Sequence, residues 1–110
     1  MKRLRANKHI LHVLKDCNPQ LRKALIKASN PEIIKTLCEI SLNTLNGNNK
    51  ISNHRKNKLK KYKRELRQLV CPKLSITSKR KILVQKGGFL PVLIGSILSG
   101  VIGQLIEKAL

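Results

Sequence analysis

Residues able to ligate a metal ion are few and irregularly spaced in this chain of 110 residues. His9, His12 and Cys17 form a His-x2-His-x4-Cys pattern, and Cys38 is the next cysteine along the chain. The spacing of these residues matches no standard pattern of a structural zinc site. We therefore predict neither a metal site nor any other cofactor.

Groups for catalysis are equally scarce. The five acidic residues are scattered, and no two of them are spaced as a general acid–base pair. Cys71 is interpreted as a structural cysteine, and Gly87-Gly88 is not followed by the Gly-Lys-Ser/Thr sequence of a phosphate-binding loop. These patterns favour a protein that is not an enzyme and that takes no small-molecule substrate.

Basic residues dominate the chemistry of the chain. There are 24 lysines and arginines against five acids, a formal net charge of +19. The segment between Lys50 and Lys86 is densely basic and contains a single acid, Glu65. Its lysines outnumber its arginines, which suits neutralisation of phosphates better than bidentate reading of bases. Such contacts release counterions, and they make binding dependent on salt and largely independent of sequence.

Nucleic acid is therefore the predicted partner of this basic segment. An anionic membrane surface and an ordinary solvated helix face are the alternative interpretations. The residues predicted to bind nucleic acid are Arg55, Lys56, Lys58, Lys60, Lys61, Lys63, Arg64, Arg67, Lys79, Arg80 and Lys81.

The elements that must position these residues are predicted to be helices. Asn18 and Asn30 each precede a proline, the pattern of an N-cap followed by proline in the first turn. Ser52 and Ser75 are predicted to begin two further helices, and apolar residues recur at helical spacing after each start. With a first helix at residues 4–16, the pattern predicts an all-α fold, a small bundle of four or five short helices.

A change of composition at Gly87-Gly88 predicts two parts. Residues 1–88 form the basic helical domain, and residues 89–110 form an apolar amphipathic helix after a flexible glycine joint. On that helix, pairs of small or polar residues alternate with aliphatic pairs every four positions. A helix lying in a membrane interface, a transmembrane span, and a helix of the core or of an oligomer interface all fit this pattern.

The residues predicted to associate with a membrane are Phe89, Leu90, Leu93, Ile94, Ile97, Leu98, Val101, Ile102, Leu105 and Ile106. Gly95, Ser99 and Gly103 form a strip of small residues suited to close helix–helix contact. The run Phe-Leu-Pro-Val-Leu-Ile-Gly-Ser-Ile-Leu-Ser-Gly-Val-Ile over residues 89–102 resembles the temporin group of amphibian membrane-active peptides. That resemblance implies membrane activity of the tail.

A second resemblance covers more of the chain. Residues 66–69, 72–75 and 79–91, the last ending in Gln-Lys-Gly-Gly-Phe-Leu-Pro, resemble a short basic protein of Maverick/Polinton elements and adintovirus-like DNA viruses of animals. Residues 25–28 and 45–48 are similar as well. The resemblance implies a small structural or accessory virion component, analogous in composition to adenoviral core and membrane-lytic minor proteins. It implies no catalytic residues.

These patterns together predict a non-enzymatic viral or transposon-derived protein. Its basic part would bind nucleic acid without reading sequence, and its tail would associate with membrane, with a capsid protein or with itself. The rival hypothesis is a membrane-lytic or membrane-anchored protein whose basic part binds anionic lipid. The expected location is the virion and host nucleus, or otherwise the cell interior, with membrane association included in this alternative. Secretion is not expected, since no apolar segment of the required length follows the basic N-terminus as in a secretory signal.

Overall fold

The computed structural model describes residues 2–46 and 53–98, and the regular elements in these ranges are helical. The all-α fold predicted from the sequence is confirmed. The helices are α1 (Lys2–Ala6), α2 (Lys8–Asp16), α3 (Pro19–Ala28), α4 (Pro31–Leu45), α5 (Asn53–Lys60), α6 (Lys63–Leu69), α7 (Ile76–Lys86) and α8 (Leu90–Leu98), with a 3-10 turn at Gly87–Phe89.

The predicted helix starts at Asn18, Asn30 and Ser75 are confirmed. The side chain of Asn18 accepts a hydrogen bond from the backbone N–H of Leu21 at 2.8 Å. Asn30 accepts in the same way from the N–H of Ile33 at 3.2 Å, and Ser75 caps α7. Each cap satisfies a backbone donor that the first helical turn leaves unpaired, and is worth about 1 kcal/mol. The predicted cap Ser52 lies outside the described residues.

Two of the predicted helices are each divided in the structure. The helix expected at residues 4–16 breaks at Asn7, whose amide donates to the Thr36 hydroxyl on α4 at 3.0 Å. The helix expected to begin at Ser52 and continue through the basic residues to about Val70 breaks after Lys60, and Tyr62 packs there against Phe89. Each break lies beside a side chain held by a different element, a tertiary contact that periodicity along the chain does not reveal.

Helix α8 lies in the centre of the fold. Leu90, Leu93, Ile94 and Ile97 are at most 1% exposed, and α8 contacts α2, α4 and α5. A short helix that is apolar on nearly all sides is stable in water only when other helices cover it. The described part of the apolar tail therefore belongs to the same hydrophobic core as the basic helices.

The junction between the basic part and the tail differs from the expected flexible joint. Gly87 is buried, and a Cβ atom at this position would lie 3.4 Å from Cδ1 of Leu90. Helix α7, the turn and α8 form one helical stretch, Ile76–Leu98, that is long and apolar enough by composition to cross a membrane. Its most apolar window has a mean hydropathy of 1.4 and is 44% buried inside the protein. Core helices commonly have these properties.

Candidate nucleic-acid interface

Helix α5 is attached to the core along one side. Leu59 is 4% exposed, and Tyr62, just beyond the helix end, packs on Phe89. On the preceding turn, Nη1 of Arg55 donates to the carbonyl oxygen of Gly95 on α8 at 3.4 Å. Positions 55 and 59 share one face of α5, and this face is turned towards α8. The other faces of α5 carry polar and basic residues.

Seven of the predicted nucleic-acid-binding residues are exposed on α5, α6 and the turn between them. We call them the basic face: Lys56, Lys58, Lys60, Lys61, Lys63, Arg64 and Arg67. None of the seven forms a salt bridge with another residue that the structure describes. The basic face therefore presents a concentrated positive charge to solvent.

The acids of the described residues are each placed beside a basic partner elsewhere. Glu65 lies within α6, but its side chain is only 13% exposed, and Oε1 is 3.8 Å from Nζ of Lys86. Glu32 and Glu39 both approach Arg3, at 3.2 and 3.5 Å. The hydrogen bond and the negative charge of Glu32 raise the pKa of the Arg3 guanidinium above its ordinary value. These pairings keep carboxylates away from the basic face.

A shallow, open groove lies beside α6. Its volume is about 530 Å³. It is lined by Lys63, Arg64, Arg67, Gln68, Cys71 and Leu74, and so by no carboxylate. We call it the α6 groove. Three of the seven cations of the basic face thus lie beside one another along this shallow groove.

Arg80 has a structural role that its position in the run Lys79–Arg80–Lys81 does not reveal. Its Nη1 donates to the carbonyl oxygens of Ser29 at 2.6 Å and Ile26 at 2.7 Å. These carbonyls lie at the C-terminal end of α3, where backbone acceptors lack partners within the helix and the helix dipole favours a cation. Lys79 is half-buried, and only Lys81 of the three is exposed.

Arg22 has a similar role that sequence reasoning missed. It is 9% exposed, and its guanidinium donates to the carbonyl oxygens of Leu14 at 3.0 Å and Cys17 at 3.2 Å. It therefore caps the C-terminus of α2. The available signal is its position four residues before Ile26, on the face of α3 that enters the core.

The residues predicted to associate with a membrane lie mostly inside the protein. Phe89, Leu90, Leu93, Ile94 and Ile97 are buried, and Leu98 is half-buried. Val101, Ile102, Leu105 and Ile106 lie outside the described residues. For residues 89–98 the structure corresponds to the core-helix alternative, because apolar contacts with α2, α4 and α5 take the place that lipid would occupy.

The predicted strip of small residues is described at Gly95 alone, since Ser99 and Gly103 lie outside the described residues. Gly95 is buried, and a Cβ atom there would lie 3.7 Å from Cδ of Lys15 on α2. This is an ordinary van der Waals distance, so the contact between α8 and the stem of Lys15 does not itself require a glycine. This close contact lies within one chain.

The three cysteines are free thiols, and each is half-buried. Burial raises the pKa of the Cys38 thiol, and the nearby charge of Lys79 opposes this shift. Among the described residues, no three His, Cys, Asp or Glu side chains are grouped so that they could hold a metal ion. Among the described residues, the basic face is therefore the main candidate for a functional site.

In comparisons with protein-family models, curated proteins and solved structures, no match to this chain was found.

Proposed function

We propose that this protein is a non-enzymatic nucleic-acid-binding protein that contacts the phosphate backbone through the basic face and does not read sequence. The supporting observation is the set of seven exposed cations, free of salt bridges to described residues, on a segment anchored to the core by Arg55, Leu59 and Tyr62. Because these three residues face the core, the seven cations lie together on the solvent side of a segment that the core holds in place. Such a surface neutralises several phosphates at once.

The resemblance to the basic protein of Maverick/Polinton elements suggests a setting for this activity. We propose that the protein accompanies DNA in a virion and in the host nucleus. A net charge of +19 on 110 residues fits a protein that offsets the charge of a packaged genome. The chain has one Phe, one Tyr and no Trp, so backbone contacts rather than stacking of bases would supply the affinity.

Charge neutralisation with a matched control tests the assignment to the basic face. Lys58→Gln/Lys61→Gln removes two exposed charges from the basic face, and Lys23→Gln/Lys27→Gln removes two exposed charges from α3. The first variant should flatten the dependence of log K on log salt by up to about 1.8, at about 0.9 per phosphate contact. The second should leave that slope nearly unchanged. Equal effects would show that the bulk charge, and not this face, determines binding.

An anionic membrane is the second candidate partner, favoured by the long apolar helix Ile76–Leu98. In that function α8 would leave the core and enter the bilayer while the basic residues bind lipid headgroups. Leakage of vesicles rich in anionic lipid, caused by the full chain at concentrations where DNA binding is weak, would favour this second function.

A further inference from the structure

The α6 groove has properties that distinguish it from the rest of the basic face. Arg64 and Arg67 both line it, and these are the only arginines among the seven exposed cations. The amide of Gln68 lies beside them and adds further N–H donors. Planar guanidinium groups pair with phosphate oxygens through two parallel hydrogen bonds, whereas a lysine acts as a point charge. The groove thus brings together the donors best suited to a phosphodiester.

The arrangement of charge on α6 also favours an anionic ligand. Lys63 and Arg67 are four residues apart, and Arg64 and Arg67 are three apart, so like charges lie next to one another on the helix. Lys63 and Arg64 also lie in the first turn, where the helix dipole disfavours a cation. Glu65, the one acid of this helix, is turned away towards Lys86. A phosphate in the groove would relieve the repulsion that the free protein carries.

We infer that the α6 groove is the principal phosphate-contact site of the basic face, and that one backbone strand of the nucleic acid lies along it past Cys71. This inference rests on the proposed function and assigns its closest contact. The lysines of α5 then contribute long-range attraction, while Arg64 and Arg67 hold phosphate oxygens directly. Because Cys71 lines the same groove, its thiol becomes covered when nucleic acid binds.

The test compares two double variants of the full chain with equal loss of charge. Arg64→Gln/Arg67→Gln alters the α6 groove, and Lys56→Gln/Lys60→Gln alters the exposed side of α5. With a duplex DNA probe, the first should flatten the salt slope by about 1.8, at about 0.9 per contact, and the second by less than half as much. Arg64→Lys/Arg67→Lys should keep the slope but lower the affinity, because charge remains and bidentate geometry is lost. Circular dichroism checks that every variant is folded.

Thiol footprinting supplies an independent measurement on the unmodified protein. Iodoacetamide is added with and without saturating DNA, and mass spectrometry follows alkylation of Cys71 and of Cys17, which lies outside the groove. Loss of Cys71 alkylation in the presence of DNA, with Cys17 unchanged, is the expected result.

Failure of this inference and failure of the proposed function give different results. DNA binding with equal slope changes in the two Gln variants and an unprotected Cys71 would overturn the groove assignment and leave the proposed function standing. Absence of DNA binding by the unmodified chain at low salt would overturn both.

Discussion

The ring of Tyr62 packs against the ring of Phe89, with centroids 5.3 Å apart and planes inclined by 40°. These are the only aromatic residues of the chain. Tyr62 lies between the two helices that carry the basic face, and Phe89 lies at the start of the buried helix α8. Together with Arg55 and Leu59, this aromatic pair therefore connects the charged surface to the core.

Phe89→Ala should destabilise the fold strongly. Phe89 is buried, and removing a buried phenyl ring costs about 3 to 5 kcal/mol through lost burial and a residual cavity. Tyr62→Phe keeps the ring contact and serves as the control, with a change well below that range. Urea denaturation of the two variants gives the free energies. Similar stability of Phe89→Ala and the unmodified protein would contradict the central position of this pair.

Arg80→Ala should destabilise the protein more than Lys81→Ala. Loss of Arg80 removes a donor from the carbonyl oxygens of Ser29 and Ile26, of which Ile26 keeps the Ser29 hydroxyl, so we expect a cost of about 1 kcal/mol, at the lower end of the range for an unpaired acceptor. Lys81 is exposed, and its replacement should change stability by at most about 0.5 kcal/mol. Both variants lose one positive charge, so thermal denaturation separates capping from charge. Equal melting temperatures would show that the hydrogen bonds from Arg80 to the end of α3 do not stabilise the fold.

Sequence patterns predicted the helices and several of their starts, because capping by Asn18, Asn30 and Ser75 is a local interaction. They also located the basic segment, since charge density is a property of composition. The role of Arg80 could not be predicted from the chain alone, and the spacing of Arg22 from Ile26 indicates burial but not the carbonyl oxygens that it binds. Each arginine binds the end of another helix, and in sequence a structural arginine looks the same as a phosphate-binding one.

The sequence also left undecided whether lipid or protein surrounds the apolar tail. A pattern of aliphatic pairs separated by small residues fits lipid and protein surroundings equally well. In the structure, α8 contacts α2 and α4, which are far away along the chain. Periodicity describes which face of a helix is apolar, and only the tertiary fold shows what covers that face.

Leu93→Ala tests the position of α8 inside the bundle. Leu93 is fully buried, so its truncation should lower the free energy of unfolding by about 2 to 5 kcal/mol. Val92→Ala, at a half-buried neighbouring position, provides the control and should cost clearly less. The measurement is chemical denaturation without lipid. A tail that lay free of the bundle would make both substitutions neutral.

The half-buried thiol of Cys38 should make stability depend on pH. Burial raises its pKa in the folded state above the unfolded value of about 8.5, so the neutral thiol is favoured by folding. This stabilisation is complete below the unfolded pKa and is lost as pH rises through the folded value. The free energy of unfolding should therefore fall above about pH 8.5, below the lysine range near about 10.4.

The same pH dependence should weaken in Cys38→Ala, which has no thiol to titrate at that position. Denaturation curves between neutral pH and the start of lysine titration measure it. An identical decline in the variant and the unmodified protein would attribute the effect to other groups.

Binding of duplex DNA by the full chain as a function of salt tests most directly whether the basic face contacts the phosphate backbone. Fluorescence anisotropy between about 50 and 200 mM salt gives log K against log salt, and each phosphate contact contributes a slope of about −0.9. The exposed cations of the basic face predict a straight line steeper than about −3, with two unrelated sequences giving the same line. A slope near zero, or no binding at the lowest salt, would contradict phosphate-backbone binding by the basic face.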